Sequence, residues 1–214
     1  MDSGNKFSPK KISFLLISIC LTASCALIYE LLIAAISSYF IGDSITQFSL
    51  VVGIFISSMG VGSYLTRFIR RDLLYNFFCI EIMLGIIGGL SIPALYAAFA
   101  YTTLFSPLAL TLTFIIGVLT GFEIPLITRE LSGRITKEKN ISNVLSMDYI
   151  GGLAATLLFP FVLIPNLGLF KTSLLFGLIN IAVGIFGFNL FQGLFQKKNL
   201  YFPFSSPHSV LLFS

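Results

Sequence analysis

Polar residues along this chain are confined to short intervals, and six apolar runs lie between them: Ile12 to Ile41, Ile45 to Phe68, Leu74 to Ala100, Leu104 to Leu126, Val144 to Leu169 and Thr172 to Leu194. Each is as long as the about 20 residues a helix needs to cross the hydrocarbon of a bilayer, and the first has enough surplus to tilt or protrude. The pattern predicts an all-α fold, a polytopic integral membrane bundle of six transmembrane helices spanning residues 12–195. Residues 1–11 then form an N-terminal arm and residues 196–214 a tail. Gly42-Asp43 makes a tight break after the first run, the Pro107 region opens the fourth, and Pro165-Asn166-Leu167-Gly168 closes the fifth. The first run is roughly twice the length of a signal-peptide core and lacks a clear small-residue cleavage site.

Charge adds orientation. Of the 13 lysines and arginines, all but Lys171 fall in the N-terminal arm, the second and fourth connections, or the tail. Cationic loops stay cytoplasmic, so both termini are expected on the cytoplasmic face of the plasma membrane. Charged residues make up only 10% of the chain, with a mean hydropathy of +0.96, against about 25% charged in a soluble domain. The net charge of +4 is scattered over short loops and forms no nucleic-acid patch. Cys20, Cys25 and Cys79 sit within apolar stretches at no metal-ligand spacing and read as packing residues. Asn140-Ile141-Ser142 fits a glycosylation pattern, but it lies in the connection from Thr128 to Asn143, which the charge rule keeps in the cytoplasm. The single histidine, His208, lies in the tail without ligand partners.

The candidate chemistry is acidic. Glu30, Glu81, Glu123 and Asp148 lie inside or at the edge of apolar runs. An ionised acid in hydrocarbon costs about 3 kcal/mol on insertion scales, so it persists mainly where it faces a bundle interior or an aqueous path. In the third run Glu81, Gly85 and Gly89 form one helical stripe; in the first, Ala26, Glu30, Ala34 and Ser38 do; in the fifth, Asp148, Gly152 and Thr156. Gly117 and Gly121 precede Glu123, and the second run offers Gly53, Ser57 and Gly60. Small residues let membrane helices approach closely, so these stripes place most of the acids at helix contacts, with Gly85, Gly89, Gly117, Gly121 and Gly152 as packing positions. Glu81, about 10 Å into its helix, converges with Glu123 and Asp148 near the inner leaflet, while Glu30 belongs nearer the outer side. Two readings stay open: acids that lock packing through hydrogen bonds or pairing with Arg129 or Arg67, and a pathway or cation site. Tyr29 and Tyr149 could donate hydrogen bonds to such groups, Tyr149 otherwise serving as an interfacial aromatic. Pro93, Pro125 and Pro160 fall where they can kink their helices.

No phosphate loop, nucleophile triad or Cys/His cluster is present, so no catalytic, cofactor-binding or metal-ligating residue is assigned and no cofactor is expected. Several segments resemble the opening of membrane-bound spermidine synthases (polyamine aminopropyltransferases): Ala26-Leu27-Ile28-Tyr29-Glu30-Leu31, Gly42-Asp43-Ser44, and Ser58-Met59-Gly60-Val61-Gly62-Ser63-Tyr64-Leu65. Gly121-Phe122-Glu123-Ile124-Pro125-Leu126 with Arg129 continues the match, as do Ser142 to Gly152, Leu158-Phe159-Pro160, and Pro165 to Gly168. The resemblance implies a membrane module followed, in such proteins, by a cytosolic α/β domain that transfers an aminopropyl group to putrescine. That domain's nucleotide motif and catalytic aspartates have no counterpart here, so the chain is expected to be the module alone, from a truncated or split gene, anchoring or feeding a synthase. The alternatives are a small polyamine, cation or proton transporter, and an inactive fragment. Expected partners are the lipid bilayer, polyamines, a separately encoded synthase domain and a second copy of the chain.

Overall fold

The computed structural model describes residues 9–132 and 137–200, with side chains from 10 to 132 and from 140 to 193. The far N-terminal arm, Arg134 in the long connection, and His208 in the tail lie outside these residues. Among these residues seven α-helices follow in order: α1 (Pro9–Ile41), α2 (Ser44–Leu65), α3 (Leu73–Tyr101), α4 (Phe105–Gly121), α5 (Glu123–Leu131), α6 (Lys137–Leu158) and α7 (Ile164–Leu200). A 3-10 turn, Thr66–Phe68, ends α2, and a π-helical turn, Phe159–Leu163, joins α6 to α7. No strand occurs among the described residues. Five stretches are long and apolar enough to cross a membrane, the last running from Asn140 to Gly193.

The breaks have local causes. Between α1 and α2, Gly42 (φ 82°) and Asp43 (φ 40°) both adopt left-handed backbone, and the Asp43 carboxylate caps α2 by accepting from the Thr46 N–H at 3.3 Å. Hydrogen bonds from Thr46 hold the Asp43 carboxyl below its usual range. The fourth apolar run is interrupted at Phe122, where its N–H tightens onto Leu119 O at 3.2 Å. Glu123 therefore opens a separate short helix, while α4 and α5 together remain one apolar stretch long enough to cross a membrane, Phe105–Leu131. In the fifth run, Pro160 and Pro165 remove backbone donors, and the turn widens so that Ile164 N–H reaches Phe159 O. Gly168 (φ 69°, ψ −179°) then leaves helical geometry altogether.

Three crossings hold the bundle. α3 and α7 run antiparallel: Gly85 and Gly89 face Gly177, and a Cβ on Gly85 would stand 2.6 Å from Gly177 O. Ser173 bridges the two, its hydroxyl donating to Gly89 O at 2.7 Å and Gly88 O at 3.0 Å. Gly89 O is the carbonyl that Pro93, four residues on, leaves without its helical donor. α2 and α4 run parallel, with Gly62 against Val118 O, Gly121 against Met59 O, and Gly117 against Phe55 O. At the α1–α6 crossing Gly151 abuts Cys20 O, and Ser24 donates across to Gly151 O at 2.8 Å. Gly152 meets only the flexible end of Leu27, so the tight contact lies one residue earlier than the sequence stripe places it. The Gly53–Ser57–Gly60 face of α2 is open, with nothing near either glycine.

Aromatic clusters mark both ends. At one, Phe40 stacks on Phe99 with ring centroids 3.8 Å apart and meets Tyr96 and Phe105 edge-on. At the other, Phe191 packs with Phe14 and Phe78, under the Lys11 ammonium. Rings gathered at two levels suit the two interfaces of a bilayer.

A buried acidic centre beside an open cleft

α1 supplies the wall of the candidate site. Thr22, Cys25 and Tyr29, spaced three and four apart on one face, are all fully buried. Against that face come Glu81 from α3, 0% exposed, and Glu123 from the first turn of α5, 2% exposed. Thr22 Oγ1 donates to Glu123 Oε2 at 2.9 Å, whereas Glu123 Oε1, both Glu81 oxygens and the Tyr29 hydroxyl have no hydrogen-bond partner. The two glutamates lie within electrostatic reach of each other and of Cys25 and Tyr29. Gly88 presses on the Tyr29 ring, so closely that a Cβ there would stand 2.6 Å from Cζ, which fixes the ring's position.

Two carboxyls in one dry interior require compensating positive charge whenever they are ionised, since burial strips away water without supplying a counter-ion. Among the described residues no basic side chain takes that role. Arg129 turns outward: its Nη1 donates to Thr66 O at 2.8 Å and Nη2 to Ile69 O at 2.7 Å, closing the end of α2. Arg67 lies over the Tyr64 ring at 3.7 Å and the Phe68 ring at 4.6 Å. The expected acid–arginine pairing is thus replaced by guanidinium contacts with backbone and rings. Tyr29, placed beside Glu30 in sequence, makes no hydrogen bond to it. Glu30 is 6% exposed and feels none of the other three carboxyls.

Asp148 lies by an adjoining face of α1, half-buried, and within electrostatic reach of Glu123. It lines a cleft of about 350 Å³ whose floor is Ala23, Ala26 and Leu27 of α1. α2 and α4 form one side through Phe55, Met59 and Thr120, and α6 the other. Tyr149 is exposed at the rim. Among the described residues no group of three or more His, Cys, Asp or Glu side chains is placed to hold a metal ion. Thr22, Gly88 and Thr120 escape a reading of the sequence. The seven-residue spacing of Thr22 and Tyr29, which puts both on one helix face, is the signal that could have found the first.

Fold and site together define a helical membrane-type module with an acidic interior. No protein-family model matches the chain, and no solved structure does. Curated relatives do: it is 42% identical over 173 residues to a polyamine aminopropyltransferase of Leptospira interrogans, and 44% identical over 188 residues to polyamine aminopropyltransferase 2 of Ralstonia nicotianae. A polyamine aminopropyltransferase of Mycobacterium tuberculosis is 35% identical over 176 residues. These matches cover 81%, 86% and 78% of this chain but only 35%, 36% and 34% of the relatives. The chain is therefore similar to one portion of these polyamine aminopropyltransferases, and it spans about a third of the length of the relatives it matches.

Proposed function

We propose that the chain is a six-span membrane module, with both ends on the cytoplasmic face of the plasma membrane, that anchors or feeds an aminopropyltransferase domain acting on putrescine. The observation that carries this reading is the match of about four fifths of the chain to one third of proteins named for that activity. Catalysis is assigned to a domain of another fold, and no residue of these 214 is given a catalytic role.

Six crossings, where five stretches are continuous, follow from the last of them. Its 54 residues would be about 80 Å long as one helix, well over twice the hydrocarbon thickness. Within it, Asn140 donates to Thr128 O at the end where Arg129 meets Ile69, whereas Phe170 packs near Tyr96 and Phe191 returns to Phe14 and Lys11. These contacts support two traverses in this stretch, with the turn at the Gly168 break. Lys11, Arg67 and Arg129 share one end and Lys171 the other, which supports a cytoplasmic assignment for the first.

Impermeant thiol labelling of intact cells tests it, with the native cysteines replaced. A cysteine at Thr103 should react from outside and one at Ser132 only after lysis; the reverse pattern inverts the topology and removes the reading. A synthase domain from a relative, co-expressed with the chain, should then sediment with membranes.

The Glu81–Glu123 centre, in which Thr22 meets just one of the four carboxyl oxygens, favours a second reading, a proton or cation path through the module. In proteoliposomes Glu81→Gln should cut any flux of protons or labelled spermidine by at least about tenfold, since this carboxyl would be the charged stopping point. Unchanged flux takes Glu81 out of transport.

A further inference from the structure

We propose that the cleft bounded by α1, α2, α4 and α6 binds the ammonium end of a primary aliphatic amine, with Asp148 as its counter-ion and Thr120 as a second acceptor. This deepens the reading above and rests on it only for the choice of free amine used as a probe.

The cleft is built for a ligand with one cationic end. Its volume of about 350 Å³ falls within the range of small-molecule sites. Among the described residues nothing hydrogen-bonds or pairs with the Asp148 carboxylate, and no basic side chain lines the cleft. Thr120 is the second mark. It is only 7% exposed, yet its hydroxyl has no partner. On the same helix Thr113 and Thr111 return theirs to Ala109 O and Pro107 O, at 2.9 and 2.7 Å, as helical threonines ordinarily do. Thr120 instead leaves a buried oxygen at the cleft, an orphaned polar group that is costly until something meets it. Of the other two hydroxyls on the lining, that of Thr156 is already committed to Leu153 O at 2.9 Å, and Tyr149 is exposed at the rim.

The chemistry selects among cations. Carboxylate and hydroxyl oxygens, with Glu123 within electrostatic reach of Asp148, make the cleft hostile to anions. A calcium-like ion wants six to eight oxygens, and the lining carries a single carboxylate with three hydroxyl side chains. A primary ammonium has three donors, enough for both Asp148 and Thr120, and its methylenes can lie on Ala23, Ala26, Phe55 and Met59. A quaternary ammonium has no donor and cannot meet Thr120.

Primary ammonium groups reach such a cleft from two sources, a dissolved amine or the ethanolamine headgroup of a lipid. The purified full chain in aminolipid-free detergent should therefore be titrated with 1,4-diaminobutane by calorimetry. In parallel, phosphatidylcholine nanodiscs with and without phosphatidylethanolamine should be assayed by native mass spectrometry. Saturable binding is expected in at least one arm, and the arm identifies the source. Asp148→Asn should weaken it at least about tenfold and Thr120→Val about threefold, while Asp148→Glu retains it and tetramethylammonium fails to compete. Absence of saturable binding in both arms overturns the proposal, as does undiminished binding by an Asp148→Asn chain that melts like the parent. Should that variant not fold, undiminished binding by Thr120→Val overturns it. Cysteine labelling of the loops reads the topology separately, so failure here is distinguishable from failure of the membrane-module reading.

Discussion

Gly121→Ala should destabilise the folded chain by about 3 kcal/mol or more and largely abolish its recovery as a monodisperse species. The added Cβ would fall inside contact distance of Met59 O, and Gly62, on the facing helix, meets Val118 O in the same way. Both obstacles are main-chain carbonyls, which cannot rotate aside as the tip of a leucine can. Separating α2 from α4 is the only relief, and α4 is the neighbour on which α2 packs most extensively. Lipid offers no hydrophobic drive to restore a loosened crossing. Gly60→Ala is the matched control: a Cβ there meets nothing within 4 Å, so its effect should stay within about 0.5 kcal/mol. Folded fraction after a heating series, read by size exclusion in detergent, compares the two. Equal behaviour would mean that α2 and α4 do not cross at these glycines.

Arg129→Met should cost about 3 kcal/mol through a different route. The guanidinium holds Thr66 O, which also accepts from the Ile69 N–H at 3.0 Å, and Ile69 O just beyond the helix end, at 2.8 and 2.7 Å. Removing it takes two charge-assisted bonds at once, leaves Ile69 O without its donor and frees the 66–72 connection from α5. Arg129→Lys should recover no more than about half, because one ammonium on a flexible stem does not span two acceptors with the geometry of a fork. Limited proteolysis within residues 66–72 reports this directly, with cleavage faster in Met than in Lys and slowest in the parent chain. Cleavage of the Met variant at the parental rate would show that Arg129 does not secure this turn.

These two cases also show what a sequence of this kind discloses. Apolar length and short polar gaps are coarse quantities, so the all-helical character and the Gly42–Asp43 and Gly168 breaks are readable directly. The glycine stripes of α3 and α4 are readable for the same reason: spacing alone puts Gly85 with Gly89 and Gly117 with Gly121. The stripe on α2 has the same spacing at Gly53, Ser57 and Gly60 and faces nothing. A small-residue stripe says that a neighbour can come close, and carries no information on whether one does. The interruption at Phe122 was hidden because hydropathy counts side chains, whereas the break concerns which carbonyl each backbone N–H reaches. Arg129 misleads similarly. Counting charges pairs it with a glutamate, yet the carbonyl end of a helix is itself a negative partner, and a nearer one. Thr120 is the furthest from view, since nothing in a threonine's letter reveals that its hydroxyl has declined its own helix.

The Ser173 hydroxyl on Gly89 O has a consequence for biogenesis. A ribosome delivers Pro93 some eighty residues before it delivers Ser173. Throughout that interval α3 carries a bare carbonyl, for which hydrocarbon has no donor and exacts several kcal/mol. The third segment is thus poorly suited to drifting into lipid on its own. It should wait at the insertion machinery until the last segment arrives, so the final helix to be made completes the solvation of one made much earlier.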